Sequence, residues 1–304
     1  MPRLRIGTRG SPLALAQARE TRDRLVAAHG MDVNDIEIMS FTTSGDRAVD
    51  RPLADIGGKG LFTKELEEAL LASTIQLAVH SMKDLPAQLP SGLTIAAVLP
   101  REDARDAFMS LTANSIAELK PGAVLGSSSV RRTAQVLRMR PDLKSVQFRG
   151  NVQTRLRKLS EGVADATFLA CAGLNRLGLS DKITMAMPID VMLPAIAQGA
   201  IGIEIREGDD ATRAVLSKIN HRESDIAVAC ERAFLASLDG SCRTPIAGHA
   251  TLDGNTLNFR GLALTLDGVH CFETTRQGSW EDAVRMGSDA GEEVKALGGA
   301  LIAF

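Results

Sequence analysis

The strongest chemical pattern in the sequence is a run of basic side chains between positions 127 and 158. Nine arginines and lysines in this run accompany a single acid, Asp142. Arg131 and Arg132 fall in the first turn of a predicted helix, where the helix dipole is already positive and acidic side chains are preferred. Two arginines there are unfavourable unless an anion lies among them, and the helix N–H groups and the preceding serine hydroxyls could help to bind it.

A second predicted helix begins in a similar way, with Arg149 before it and Arg155 inside it. Arginine is favoured over lysine where a carboxylate or phosphate is held by two parallel hydrogen bonds. The two helix starts therefore predict a polyanionic ligand with several separate carboxylates. A basic face that is simply solvated would give the same pattern, and the residue types alone leave both interpretations open.

Asp84 is a candidate for acid–base chemistry. It follows an apolar predicted strand and lies beside Lys83, and catalytic groups in parallel α/β sheets gather just beyond the carboxyl ends of strands. An aspartate at that position could transfer a proton or stabilise a cation. The same residue types also suit an ordinary turn before a proline.

Two loops contain the remaining candidates. Lys59 lies in a Gly-Gly-Lys-Gly segment that resembles a phosphate-binding loop but lacks its spacing, so a flexible turn is the alternative. Cys242 lies in a predicted loop beside Arg243, which would favour the thiolate, although an inert loop thiol has the same setting. The other cysteines occur in apolar or regular segments that are typical of core thiols: Cys171, Cys230 and Cys271.

The composition argues against several classes of protein. The 304 residues are 44% hydrophobic and carry a net charge of −2, which does not fit a globally basic nucleic-acid binder or a disordered chain. Aromatic residues make up 3% and tyrosine is absent, so base-stacking surfaces are not expected. The sequence lacks an apolar stretch of about 18 residues, a secretory signal, paired cysteines and a histidine cluster. It therefore predicts a cytoplasmic protein with no metal and no membrane segment.

The elements that position these residues alternate between strands and helices over the first two-thirds of the chain. Examples are strands at 36–41 and 166–170 and a helix at about 152–160. This alternation predicts α/β units with largely parallel sheets. A polar stretch at 100–103 suggests a linker, and after about residue 218 the pattern changes to helices that flank two alternating strands. We therefore expect two α/β domains followed by an α+β domain.

Eight segments, in order along almost the whole chain, resemble the porphobilinogen deaminase (hydroxymethylbilane synthase) family. So many ordered segments are far more specific than any single motif. They are TRGSPLALAQ at 8–17, GGKGLFTKELE at 57–67, AVHSMKDLP at 78–86, GSSSVRRTAQ at 126–135, RGNVQTRL at 149–156, AGLNRLGL at 172–179, QGAIGIE at 198–204 and DGSCRTPIAG at 239–248.

The resemblance implies a fold, a cofactor and a reaction. The fold class is α/β, with two periplasmic-binding-protein-like α/β domains around a cleft plus a small C-terminal α+β domain. The implied domain boundaries are 1–99 plus 200–217, 100–199 and 218–304. Cys242 would hold one dipyrromethane cofactor per chain by a thioether bond, and four porphobilinogen molecules would be deaminated and joined to it before hydrolysis releases linear hydroxymethylbilane. Asp84 would be the catalytic carboxylate, because it can stabilise the pyrrole N–H of the cationic azafulvene left by ammonia.

The resemblance also assigns binding residues. Those implied for the cofactor are Cys242, Lys83, Asp84, Ser127, Ser129, Arg131 and Arg132. Those implied for the substrate, porphobilinogen, are Arg9, Ser11, Lys59, Ser81, Arg149, Arg155, Arg176 and Gln198. No metal, nucleic acid or membrane is implied, and the family expectation is a monomer. The sequence departs from the family pattern at Gln76, Ala197 and Arg243.

Two other functions remain open at this point. A non-catalytic carboxylate-binding protein on the same fold would explain the arginines but would give Cys242 and Asp84 no role. Nucleic-acid binding through residues 131–158 would instead require a strongly salt-dependent affinity for DNA or RNA.

Overall fold

A computed structural model describes residues 4–47, 60–240 and 244–302. Contacts divide the chain into two compact units. Unit 1 consists of Met1–Glu102 and Ala200–Asp225, and unit 2 consists of Asp103–Gly199 and Ile226–Phe304. The three domain boundaries expected from the resemblance stay a prediction.

The described ranges contain strands and helices throughout. The strands are β1 Leu4–Arg9, β2 Ile36–Phe41, β3 Leu77–Ser81, β4 Leu93–Val98, β5 Asp106–Ser110, β6 Val124–Gly126, β7 Lys144–Val146, β8 Ala166–Ala170, β9 Met185–Ala186, β10 Ile201–Arg206, β11 Ile246–Asp253, β12 Thr256–Leu264 and β13 Cys271–Ser279. The α-helices are α1 Pro12–His29, α2 Ser44–Arg47, α3 Lys64–Leu71, α4 Val130–Met139, α5 Val152–Ser160, α6 Cys171–Arg176, α7 Asp210–Ser217, α8 Arg222–Ser237 and α9 Ala283–Gly298.

Unit 1 is built on a five-stranded sheet with the order β2-β1-β3-β10-β4. Its core contains Ile6, Leu77 and Ile203 from the sheet and Leu25 from α1, all fully buried. The helix α1 begins at Pro12, because the Ser11 hydroxyl caps it and proline occupies its first position. The cap fixes the direction in which α1 crosses the sheet.

Unit 2 contains a second five-stranded sheet, with the order β7-β6-β8-β5-β9. Separate apolar clusters cover its two faces. One includes Phe108 and Phe168, whose ring centroids lie 5.6 Å apart, and the other includes Phe148 and Leu159. The helices α4 and α5 each contribute to one of these clusters, so both helices are packed against the sheet.

The same unit contains a three-stranded antiparallel sheet, β11-β12-β13. α9 packs against β12 and β13, and Phe234 of α8 contacts Phe259 of β12 with ring centroids 5.1 Å apart. Ala134 of α4 shares an apolar cluster with Leu262 and Leu264. The helix α4 is thus packed against β12 of this third sheet.

The predicted fold class is confirmed: two α/β sheets and a small C-terminal sheet with helices. The expectation of largely parallel sheets holds for four strands of each five-stranded sheet. The fifth strand runs against the others, since β10 is antiparallel to β3 and β4 and β5 is antiparallel to β8 and β9. β5 and β10 are the first strands after the chain passes from one unit to the other. Neither strand is joined to the preceding strand of its own sheet by a crossover helix. The rule that strands joined in that way run parallel therefore does not apply to β5 and β10.

The predicted strands at 36–41 and 166–170 and the helix at 152–160 are confirmed. In the part of the chain that the structure describes, no helix is long and apolar enough to cross a membrane.

Candidate functional site

Asp84 lies immediately after a strand of the unit 1 sheet. β3 is followed by a single 3-10 turn, Met82–Asp84. The Met82 N–H donates a hydrogen bond to the Ala200 carbonyl (3.1 Å), and the Met82 side chain is buried. A Cβ at Gly202 would lie 1.9 Å from the Met82 sulfur, so only glycine leaves room for it. This packing fixes the turn that presents Asp84.

The Asp84 carboxylate is available to a ligand. Its side chain is 37% exposed, and no hydrogen bond reaches it from another side chain within the described ranges. Arg9 Nη1 lies 3.8 Å from Asp84 Oδ2, which is an ion-pair distance but too long for a hydrogen bond. Lys83 lies in the same turn and is half-buried.

Four residues predicted from the sequence line one pocket in unit 1. They are Arg9, Ser11, Ser81 and Asp84. The Ser11 hydroxyl accepts a hydrogen bond from the Ala14 N–H (3.2 Å) as the cap of α1. Ser81 Oγ lies 2.8 Å from Gln17 Nε2 and 3.1 Å from Gln17 Oε1. Gln17 was not predicted as a site residue. Its buried amide connects α1 to β3, and the one indication in the sequence was a polar residue on the apolar face of α1.

A buried cluster of titratable side chains adjoins this pocket. His80 Nε2 lies 2.9 Å from Glu204 Oε2, and His80 also lines the pocket. Burial raises the pKa of Glu67, and the negative charge of Glu204 adds to that rise. Within the described residues, the Oε1 atoms of both glutamates have no hydrogen-bond partner. Glu67 therefore holds its proton more tightly than an exposed glutamate does, because two buried carboxylates that interact repel each other.

In unit 2, the anion among the first-turn arginines of α4 is a side chain of the protein itself. Asp106 begins β5 and is fully buried. Its carboxylate accepts hydrogen bonds from Arg131 (2.6 Å), Arg132 (2.7 Å) and Gln198 (3.0 Å). Burial raises the pKa of Asp106, but the positive charges of the two arginines outweigh burial and hold that pKa far below its usual range. Asp106 was not predicted as a site residue, since the one indication in the sequence is its position just before the apolar residues of β5.

One positive charge of this cluster is not balanced by Asp106. Arg131 donates two hydrogen bonds to Asp106 and one to the Leu193 carbonyl (2.9 Å). Arg132 donates two to Asp106 and one to the Phe168 carbonyl (2.8 Å). Each guanidinium has five N–H groups, so among the described contacts two on each remain. The surplus charge and these donors lie in the first turn of α4, where an anion is favoured.

The serines before α4 shape its first turn. Ser129 Oγ accepts a hydrogen bond from the Arg132 N–H (3.4 Å) as the helix cap. Ser127 Oγ donates to the Ser129 carbonyl (3.2 Å) and accepts from the Ser129 N–H (3.1 Å). The hydroxyl hydrogen of Ser127 is therefore used within the turn, whereas the hydroxyl hydrogen of the capping Ser129 can be donated to a ligand.

The remaining predicted arginines of unit 2 lie on other elements. Arg149 precedes α5, and Gly150 beside it has φ +127°, a conformation that suits glycine alone. Arg155 Nε donates to the Gly150 carbonyl (2.9 Å). Arg176 ends α6, and its Nη1 donates to the Gly199 carbonyl (3.1 Å). All three arginines are half-buried.

Two predicted residues, Cys242 and Lys59, lie outside the described residues. The cysteines that are described behave as core thiols. Burial raises the pKa of Cys171 and of Cys230 to about 12, and it raises the pKa of Cys271 as well. None of these three is a thiolate at neutral pH. Within the described ranges, no cluster of three or more histidine, cysteine or acidic side chains could hold a metal ion.

The departures from the family pattern have local explanations where the structure describes them. Gln76 Oε1 accepts a hydrogen bond from the Arg5 N–H (3.0 Å) and so joins two neighbouring strands. Ala197 has φ +57°, a left-handed conformation that costs a residue with a Cβ about 1–2 kcal/mol. Its N–H donates to the buried Glu231 carboxylate (2.5 Å), which holds the strained backbone. Arg243 lies outside the described residues.

The fold and the sites define an α/β protein with a carboxylate pocket in one unit and a buried arginine cluster in the other. Residues 4–214 match the family model described as porphobilinogen deaminase, dipyromethane cofactor binding domain, and residues 226–296 match the porphobilinogen deaminase C-terminal domain. The chain belongs to the porphobilinogen deaminase family.

Curated relatives cover nearly the whole chain. It is 56% identical to porphobilinogen deaminase from Nitrobacter winogradskyi, over 97% of this chain and 93% of that protein. It is also 56% identical to chloroplastic porphobilinogen deaminase from Oryza sativa subsp. japonica, over 97% of this chain and 84% of that protein. Among solved structures, a periplasmic substrate-binding protein of an ABC transporter from Coxiella burnetii is 15% identical, with a TM-score of 0.44 over 75% of this chain and 96% of that chain.

The arginine cluster fits the cofactor that the family model names. A dipyrromethane with carboxylate arms needs paired cationic donors, and Arg131 and Arg132 together hold one charge more than Asp106 neutralises. A buried, unbalanced charge is costly. A carboxylate arm would supply the missing counter-charge, and the Ser129 hydroxyl and the helix N–H groups would add neutral donors.

Proposed function

We propose that the chain deaminates porphobilinogen and joins four of these molecules head to tail on a covalent dipyrromethane, releasing hydroxymethylbilane. This is hydroxymethylbilane synthase activity. The observation that carries the proposal is the Asp84 carboxylate, which is ionisable, partly exposed and not hydrogen-bonded to another described side chain, in a pocket that Arg9 also lines. A protein that only bound carboxylates would gain nothing from a partly exposed acid in this pocket, because its negative charge would repel the ligand.

Asp84 and Arg9 would act on different parts of the substrate. When the carbon–nitrogen bond of the aminomethyl group breaks, the nitrogen leaves as ammonia and the pyrrole becomes a cationic azafulvene. The Asp84 carboxylate accepts a hydrogen bond from the pyrrole N–H, and its negative charge stabilises this cation. Arg9 pairs with a carboxylate arm, which orients the ring. A new carbon–carbon bond then joins the azafulvene methylene carbon to a pyrrole α-carbon, and this attacking α-carbon loses its one proton.

The remaining assignments follow the chemistry of the donors. The bound dipyrromethane supplies the pyrrole carbon from which the chain grows. The residues proposed to hold it are Lys83, Asp84, Ser127, Ser129, Arg131 and Arg132, with Cys242 as the thioether anchor. The residues proposed to hold the substrate are Arg9, Ser11, Lys59, Ser81, Arg149, Arg155, Arg176 and Gln198. The assignment of Cys242 follows from the resemblance of its segment, DGSCRTPIAG at 239–248, to the family.

Product stoichiometry tests the proposal. The purified chain, incubated with porphobilinogen, should release one ammonia for each molecule consumed and one linear tetrapyrrole for every four. Binding of porphobilinogen without ammonia release would identify a carboxylate-binding protein instead.

We also propose that the enzyme works in the cytoplasm as a monomer. Sedimentation of the cofactor-loaded protein tests the monomeric state.

Arg149→Ala is expected to slow chain growth by about tenfold to a hundredfold, because a hydrogen bond to a charged group contributes about 1.5–3 kcal/mol. The measurement is the rate of each porphobilinogen addition by the cofactor-loaded protein. Arg157→Ala is the matched control, since Arg157 lies on the exposed side of α5 and pairs with Glu161 (3.1 Å). Equal elongation rates for the two variants would remove Arg149 from the substrate site.

A further inference from the structure

Asp46, which no part of the sequence reasoning singled out, holds the Arg9 guanidinium. It lies on α2, after β2 of the unit 1 sheet. Arg9 donates from Nε to Asp46 Oδ2 (3.3 Å) and from Nη2 to Asp46 Oδ1. These two bonds occupy the whole Nε–Nη2 edge of the guanidinium. The Nη1 end is the part of Arg9 that faces Asp84.

Asp46 is itself fixed. Thr43 donates to Asp46 Oδ2 from its hydroxyl (2.7 Å) and from its N–H (3.3 Å). Burial raises the pKa of Asp46, but the hydrogen bonds from Arg9 and Thr43 outweigh burial and lower that pKa below its usual value. The neighbouring Gly45 N–H donates to the Leu61 carbonyl (2.7 Å). Asp46 is therefore a charged anchor in a rigid turn.

Two acids thus compete for one guanidinium. Arg9 Nη1 lies 3.8 Å from Asp84 Oδ2, beyond hydrogen-bond distance. The Phe62 ring lies 4.3 Å from the guanidinium carbon and restricts its movement. An arginine without another partner would close the remaining gap and pair with Asp84 through two hydrogen bonds. Asp84 would then be neutralised and occupied.

We propose that Asp46 is a positioning residue for the Asp84 reaction. By holding the Nε–Nη2 edge of Arg9, it keeps the guanidinium off Asp84, so that Nη1 binds a carboxylate arm of the substrate and Asp84 binds the pyrrole N–H. This role rests on the proposed function. Asp46 touches neither substrate nor cofactor in this scheme, and it acts only through Arg9.

The test is a comparison of kcat and KM for Asp46→Asn in the cofactor-loaded protein. Its kcat should fall by about tenfold to a hundredfold, the size expected when a reacting group is misplaced by about 1 Å. KM for porphobilinogen should change less than kcat, because the loss of a negative charge from the pocket offsets part of the lost contact between Arg9 and the carboxylate arm. Unchanged kcat, or a raised KM at unchanged kcat, would overturn the inference.

Matched variants separate positioning from folding. Glu65→Gln removes an acid that accepts a hydrogen bond (2.6 Å) from Ser44, two residues before Asp46, and it should keep the wild-type kcat. Thr43→Val loosens Asp46 without removing its charge, and its kcat should fall severalfold, by more than KM changes. If Asp46→Asn does not fold, the Thr43→Val result decides the question, and a wild-type kcat there overturns the inference.

A double-mutant cycle with Arg9 identifies the route of the effect. If Asp46 acts only through Arg9, then Asp46→Asn should cause no further loss of kcat in an Arg9→Gln protein. The same fold loss in both backgrounds would contradict positioning through Arg9. A wild-type protein that consumes no porphobilinogen would contradict the proposed function itself. An active wild type with an equally active Asp46→Asn variant would contradict only the role of Asp46.

Discussion

Asp84→Asn is expected to fold like the wild type and to turn over porphobilinogen about 100- to 1,000-fold more slowly. Asparagine keeps the shape of the side chain and can still accept a hydrogen bond from a pyrrole N–H. It lacks the negative charge that stabilises the cation, and loss of one such preorganised electrostatic contact typically costs this much in kcat. The side chain is partly exposed and ends a surface turn, so the unfolding temperature should change little.

The measurement is kcat in loaded protein at saturating porphobilinogen. Asp23→Asn is the matched control, because Asp23 is a 62% exposed acid of unit 1 that pairs only with its neighbour Arg22. The control should keep the wild-type rate. A wild-type rate for Asp84→Asn would remove Asp84 from the chemistry and leave the pocket as a binding site.

Asp106→Asn is expected to lower the free energy of unfolding by about 3–5 kcal/mol, the usual cost of removing one partner from a buried ion pair. Both Arg131 and Arg132 are almost fully buried, and without Asp106 their charges have no counter-charge among the described side chains. Denaturant unfolding at pH 7 measures the loss. Glu161→Gln, in an exposed ion pair on α5, should cost only about 0.3–0.5 kcal/mol.

The effect of Asp106→Asn should also depend on pH. The arginines lower the pKa of Asp106 in the folded protein, so its stabilisation is complete above the pKa of an unfolded aspartate, about 3.9. The stabilisation is lost as the pH falls below that value toward the folded pKa. Wild type and variant should therefore differ most at pH 7 and converge below about pH 4. A difference that is absent at pH 7, or that grows in acid, would contradict the ion-pair account.

Local sequence rules predicted the elements that carry the site. Arg131 and Arg132 lie in the first turn of a helix, as the sequence predicts, and Asp84 follows a strand, as its apolar lead-in indicates. The strand β5 was missed, although it carries Asp106. Its five residues follow a polar stretch, and its antiparallel pairing with β8 and β9 is a long-range fact that local composition does not encode.

The charge pattern predicted that an anion belongs among the first-turn arginines, but not that the protein supplies one itself. Asp106 lies 25 residues before Arg131, so only the folded sheet brings them together. The same holds for Asp46, which lies 37 residues after Arg9. The role of Cys242 is a different case, because nothing local separates it from an inert loop thiol and the prediction comes from the family resemblance alone.

The intact mass of the purified protein tests the central claim most directly. We predict that the wild-type chain carries one covalent two-pyrrole adduct, and that Cys242→Ser removes it. Cys271→Ser is the matched control, since that thiol has a raised pKa in a regular strand, and it should keep the adduct. A wild-type protein that shows only the mass of its sequence, or a Cys242→Ser protein that retains the adduct, would contradict the account.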